Sequence, residues 1–174
     1  MFLSELEDSS SIFIDANIFI YHFSKESKFN PDSTSFLERI EKRKIIGVTS
    51  TSVVQEVTHR MMIIEASNIL REIKSKDIVK YLKVHPDIVK KLVEHHSIPE
   101  KIVLFNLEII SPDIATIKRS QNMKRRYGLL SNDVLSLQIM EDLKINNLAS
   151  NDSDFERVNF IRLYKPSASK MAPG

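Results

Sequence analysis

Two hydrophobic patterns alternate along the chain, short unbroken apolar runs and longer stretches with apolar residues at helical spacing. Residues 11–15, 45–49, 107–110 and 147–149 are the short runs and predict strands, and residues 160–163 are a fifth candidate. Helical spacing covers residues 34–42 after Pro31, 52–70, 76–83, 86–105 with a break near Pro99, 114–127 and 133–144. Short buried strands alternating with helices predict an α/β domain wired around a parallel sheet. Ser52 with Gln55 and Ser153 with Glu156 read as capping boxes, and Gly128 reads as a helix C-cap. No strand interrupts residues 65–105, which predict a helical hairpin joined near His85-Pro86 on one flank of the sheet. Met61, Met62, Ile63 and Ile64 are more consecutive apolar residues than one helix face needs, which points to core or to an oligomer surface.

Length and composition narrow the class. A chain of 174 residues with 42% hydrophobic and 28% charged residues suits one folded domain. Residues 1–165 are assigned to it, and the Pro- and Ser-containing residues 166–174 are expected to be a disordered tail. No cysteine is present, which leaves carboxylate and imidazole as the strong side-chain metal ligands. The three glycines form neither G-x-G-x-x-G nor a P-loop, so nucleotide-binding loops are excluded. The opening residues lack a basic segment, and no apolar run approaches the roughly 20 residues of a membrane span, so a cytoplasmic location without membrane contact is expected. A formal net charge of +2 announces no nucleic-acid binder by itself. The basic residues cluster, however, and the densest group is Lys118, Arg119, Lys124, Arg125 and Arg126, just before Asp133.

Four acids stand where a strand ends or a helix begins: Asp15, Glu56, Asp133 and Asp152, with Asp154 two residues on. Strand ends at one edge of a parallel sheet converge, so carboxylates far apart in sequence can meet there. Each also has an ordinary structural reading. Asp15 or Asn17 suits a helix N-cap, Glu56 an exposed helix surface, and Asp133 the favourable end of a helix dipole. Asp152 and Asp154 exceed the needs of one cap. Hard oxygen donors without thiolates favour Mg2+ or Mn2+. The five histidines, His22, His59, His85, His95 and His96, form no zinc-binding spacing.

Taken together, the blocks Phe13-Ile14-Asp15-Ala16-Asn17, Val53-Val54-Gln55-Glu56, Asn132-Asp133 and Ser150-Asn151-Asp152-Ser153-Asp154-Phe155 resemble the PIN-domain family of ribonucleases, including VapC-like toxins. The resemblance implies a twisted parallel sheet of four to five strands with helices on both faces. It also implies Asp15, Glu56, Asp133 and Asp152 as an acidic catalytic quartet. Asp15, Asp133, Asp152 and Asp154 would be the metal ligands, with Asn17 and Ser150 behind them. The family often has threonine where Ser150 stands, which keeps the hydroxyl.

The expected function is metal-dependent endoribonuclease hydrolysis of RNA phosphodiesters. Lys118, Arg119, Lys124, Arg125 and Arg126 would contact RNA, with an antitoxin and a homodimer as further partners. Tyr21, Phe23 and Tyr127 are candidates for base stacking or for core. Three alternatives stay open at this level: an RNA-processing nuclease without an antitoxin, an inactive RNA- or protein-binding scaffold, and a phosphatase with Asp15 as nucleophile. The last wants a second acid where Asn17 stands.

Overall fold

Ile12, Phe13 and Ile14 are all completely buried, although successive strand residues point to opposite faces. A strand buried on both sides needs helices above and below it, as in parallel α/β sheets. The structure, a computed structural model, describes residues 1–169. The buried run is β1 (Ser11–Ile14), followed by α1 (Ala16–Phe23), α2 (Asn30–Glu41), β2 (Ile46–Ser50) and α3 (Thr51–Ile69). Then come α4 (Ile78–Val84), α5 (Pro86–Val89), α6 (Ile98–Val103), β3 (Glu108–Ile110), α7 (Ile114–Tyr127), α8 (Ser131–Leu143), β4 (Asn147–Ala149) and β5 (Arg162–Tyr164). All strands are parallel, in the order β3-β2-β1-β4-β5.

This order reverses direction at β1. The chain winds outward through β2 to β3, then returns across the sheet to place β4 on the other side of β1. The connections after β1 and β4 therefore diverge, leaving a crevice beyond their C-terminal ends. The central strands are locked by packing and by a buried bond in which the Thr49 hydroxyl donates to the Ile14 carbonyl at 2.9 Å. Gly47 in β2 faces α2 so closely that a Cβ there would lie 2.7 Å from Ile40 Cγ2.

The strands lie within two residues of the predicted positions, and helix starts differ more. α2 begins at Asn30, ahead of the expected residue 34, because Pro31 suits a first helical turn and Asn30 Nδ2 donates to the Tyr21 and His22 carbonyls at 2.9 and 2.6 Å. α3 is capped by Ser50, whose hydroxyl accepts from the Val53 N–H at 3.3 Å, and Ser52 bonds Ser50 Oγ at 2.8 Å. The Ser52–Gln55 capping box is thus replaced by a cap two residues earlier. The Ser153–Glu156 box is displaced too: Asp152 accepts from the Asp154 N–H at 2.8 Å, and Glu156 reaches Lys165 at 2.5 Å. Gly128 caps α7 as predicted, with φ of 64° and its N–H on the Lys124 carbonyl at 3.0 Å.

Residues 65–105 depart from the two-helix hairpin. α3 continues through Ile69, and short α4, α5 and α6 follow with single 3-10 turns, because Pro86 and Pro99 each open a new first turn. A small second core of Ala66, Ile78, Leu82 and Leu92 joins this region to α3. Met61 packs on the main core while Met62 and Ile63 pack on the second, which accounts for three of the four residues in the long apolar run. Glu65 clamps the region by accepting from the N–H groups of Val93, Glu94 and His95 at 2.7, 3.1 and 3.2 Å, and from His95 Nδ1 at 2.9 Å.

Part of the expected disordered tail is held. Pro166 is buried, the Ser167 N–H donates to Asp32 Oδ2 at 2.7 Å, and the Ser169 N–H to the Lys28 carbonyl at 2.9 Å. Residues 170–174 of that tail lie outside the described residues. Among the described helices none is long and apolar enough to cross a membrane.

Candidate active site

Asp15 directly follows β1 and occupies the N-cap position of α1, yet its carboxylate makes no capping hydrogen bond. Oδ2 instead accepts from the Ser150 hydroxyl at 2.7 Å and from Asn17 Nδ2 at 2.5 Å. Ser150 follows β4, so these bonds tie the two strand ends across the mouth of the crevice. Asn17 also donates to Ser150 Oγ at 2.9 Å and accepts the Asn151 N–H on Oδ1 at 3.1 Å. Ser150 Oγ further receives the Asp152 N–H at 3.1 Å, and Asn151 Nδ2 donates to the Tyr21 hydroxyl at 3.1 Å. An aspartate engaged in this way is spent on alignment, not on ending a helix.

Burial pushes the Asp15 carboxyl up to about 6 against the pull of the Ser150 hydroxyl, and the charges of Glu56 and Asp133 push the same way. Asp133, in the first turn of α8, is also raised to about 6, by burial first and then by Asp152, Glu56 and Asp154. Acids from β1, α3, α8 and the turn after β4 therefore share one electrostatic space. The ordinary reading of Asp133 as a dipole-stabilised aspartate predicts the opposite direction.

The remaining acids are oriented individually. Glu56, on the second turn of α3, accepts from Asn132 Nδ2 on α8 at 3.0 Å. Asp152 caps the following 3-10 turn with Oδ1. Asp154 is exposed and pairs with Arg157.

The basic residues separate into two groups. Arg119 is committed to Asp142 on α8 at 2.6 Å, a bond that raises its own pKa, and also donates to Thr116. Lys124 bends the other way, with Nζ 3.2 Å from Ser131 Oγ at the start of α8, two residues before Asp133. Arg125 bonds Asn122, Arg126 lies 5.0 Å over the Tyr127 ring, and Lys118 is exposed. Tyr127 donates to Asn159 Oδ1 at 2.9 Å, Tyr21 packs against Phe29 with ring centroids 4.8 Å apart, and Phe23 packs on the main core. Tyr21 and Phe23 thus serve the fold.

Among the described residues, no three His, Asp or Glu side chains are already drawn together as a metal site. The chemistry of the acids nevertheless fits a hard divalent cation. They offer oxygen donors only, and their mutual repulsion is the charge imbalance that a cation relieves. Three of the five histidines are engaged elsewhere, His22 with Thr34, His85 with Tyr81 and His95 with Glu65.

Sequence reasoning missed Asn132 and Asn151 as members of the site. Their adjacency to Asp133 and Asp152 was the available signal. Their partners, Glu56 and Tyr21, are set by tertiary contact alone.

The profile of the PIN domain matches residues 12–161. Ribonuclease VapC2 of Methanocaldococcus jannaschii is 29% identical over 156 residues, spanning 90% of this chain and 94% of that protein. Ribonuclease VapC6 of the same organism is 24% identical, spanning 90% of this chain and 97% of that protein. The crystal structure of VapBC2 from Rickettsia felis, bound to a DNA fragment from its promoter, superposes with a TM-score of 0.55 at 18% identity, covering 90% of this chain and 99% of that one. Mycobacterium tuberculosis VapC20, described as a sarcin-ricin loop cleaving toxin, gives 0.53 at 14% identity, covering 86% of this chain and 96% of that one. These two likenesses are of fold.

Proposed function

Because the chain belongs to the PIN-domain family, we propose that it is a metal-dependent endoribonuclease that hydrolyses RNA phosphodiester bonds, and the toxin of a toxin–antitoxin pair. The observation that carries the nuclease reading is the pair of strongly raised aspartates, Asp15 and Asp133, facing Glu56 and Asp152 at the switch point of the sheet. Strained, like-charged acids in a crevice mark a site where function outweighs stability. The toxin reading is supported by the relatives named ribonuclease VapC, which match over nearly their whole length.

Asp15, Asp133 and Asp152 would hold the cation, Mg2+ or Mn2+, with Asp154 joining if its Arg157 partner turns away. Such a cation supplies charge neutralisation at the phosphoryl oxygens and makes a nearby water more acidic. The chain does the rest. Ser150 and Asn17 hold Asp15 Oδ2 fixed, so the carboxylate keeps one orientation without a search over rotamers. Glu56 is anchored through Oε2 to Asn132, which leaves Oε1 to accept the proton of the attacking water. Lys124, on α7 with its Nζ beside Ser131 at the α8 start, would contact a phosphate beside the scissile bond.

The deciding experiment is cleavage of structured and single-stranded RNAs with Mn2+, Mg2+ or EDTA, comparing the wild-type chain with Asp15→Asn and Asp133→Asn. Metal-dependent cutting abolished by both substitutions is expected. Cutting that survives in EDTA or in both variants refutes the assignment. For the antitoxin, co-expression with the product of a small adjacent gene should yield a stable complex that suppresses cutting.

A further inference from the structure

We propose that Asn132 is a positioning residue that acts through Glu56, an inference that rests on the nuclease reading above. Asn132 Nδ2 stands 3.0 Å from Glu56 Oε2, across 76 residues of sequence, and the bond joins α3 to the first turn of α8. A carboxylate can only accept, so the amide must be the donor. It is the side-chain hydrogen bond recorded for Glu56 among the described residues.

The geometry gives that bond a task. Glu56 sits on the second turn of α3, and its charge contributes to raising both Asp15 and Asp133. A glutamate repelled by two aspartates gains by rotating outward, since its side chain has three rotatable bonds and water on one side. A neutral amide donor on Glu56, from the residue next to Asp133, opposes that rotation without adding a positive charge that would compete with a cation. Lysine or arginine there would neutralise the cluster, and aspartate would worsen the repulsion. Asn132 is exposed, so removing its side chain opens no cavity in the core. An ordinary surface hydrogen bond predicts no effect on metal affinity or turnover, and that difference makes the idea testable.

The experiment is a double-mutant cycle on the full chain with Asn132→Ala, Glu56→Ala and the pair, read three ways: urea unfolding in EDTA, Mn2+ titration by calorimetry, and RNA cleavage with kcat and KM separated. Asn132→Asp, which keeps the shape and removes the donor, is the companion variant. The two substitutions should be non-additive by about three- to tenfold in the unfolding constant. Asn132→Ala should bind Mn2+ about three- to tenfold more weakly and cut about tenfold more slowly with KM within twofold, while the pair is no worse than Glu56→Ala alone. Asn132→Asp should be the slower of the two Asn132 variants. Additive unfolding, unchanged Mn2+ affinity, or losses that multiply in the pair would each overturn the role of Asn132. If the wild-type chain neither binds Mn2+ nor cuts RNA, the nuclease reading fails and this role falls with it. If the wild type cuts and Asn132→Ala cuts equally well, only the positioning role fails.

Discussion

Asp15→Asn should stabilise the metal-free protein at neutral pH. The carboxyl rises from an unperturbed 3.8 to about 6 on folding, so the folded state resists ionising it. At about 1.36 kcal/mol per pH unit, keeping Asp15 charged at pH 7.5 costs about 3 kcal/mol of folding stability. Part of that cost comes from Glu56 and Asp133, which respond to the substitution, so about 1 to 3 kcal/mol should be recovered. The amide oxygen of asparagine can still accept from Ser150 and Asn17, so the local bonds persist. The sign follows from proton binding. Between 3.8 and about 6 the folded state holds more protons than the unfolded one, so wild-type stability falls as pH rises through this window and is lowest above it. Urea denaturation in EDTA at pH 4 and pH 7.5 measures the effect. The gain should be present at pH 7.5 and shrink towards zero at pH 4. For a chain of this size it corresponds to roughly 2 to 12 °C in Tm. Added Mn2+ should stabilise the wild type and leave the variant nearly unmoved. An Asp15→Asn protein less stable than wild type at pH 7.5 would refute the reasoning, and so would a gain unchanged at pH 4.

Other expected outcomes concern the clamp, the sheet and the basic face. Glu65→Gln should cost about 1 to 3 kcal/mol in urea denaturation, because the carboxylate serves four donors. Burial alone would raise Glu65, but the bonds from His95 and three backbone N–H groups hold it below its ordinary 4.5; its contribution is therefore present above 4.5 and lost as pH falls through the lowered value. Gly47→Ala should cost about 1 to 3 kcal/mol by calorimetry, since its Cβ would meet Ile40 Cγ2 at 2.7 Å. On the basic face, Lys124→Ala should weaken RNA binding and lower the salt slope by about one, whereas Arg119→Ala should leave both nearly unchanged because Asp142 already engages it. Filter binding across a salt series distinguishes them, and equal losses would overturn the separation of these two cations.

Much of this protein is written locally. The run Ile12-Phe13-Ile14 demands burial on both sides, the alternation of such runs with helical segments demands a parallel sheet, and Gly128 ends α7 where its αL conformation costs least. The acids could be picked out for the same reason, since strand ends in such a sheet gather at one edge. Helix starts were less legible. Ser50 and Ser52 offer chemically equal caps, and only the exit of β2 selects Ser50; Asp152 displaces Ser153 in the same way. The fragments between 70 and 105 depend on Glu65 reaching 28 to 30 residues ahead to collect N–H groups, a contact without local signature.

Tertiary structure also decided what each charged group does. Sequence supplies Asp15, Asn17 and Ser150 as types, but only the pairing of β1 with β4 brings Ser150 within 2.7 Å of Asp15 and withdraws that carboxylate from capping. Arg119 and Lys124 look alike as members of one basic cluster, yet their positions around α7 send one to Asp142 and the other to Ser131 beside the acids. The linkage of Asn132 to Glu56 is of the same kind. Local sequence sets backbone preference and which residues must be buried, because those depend on near neighbours. Charge coupling and hydrogen-bond partnership depend on distances through space, and these exist only once the sheet has closed.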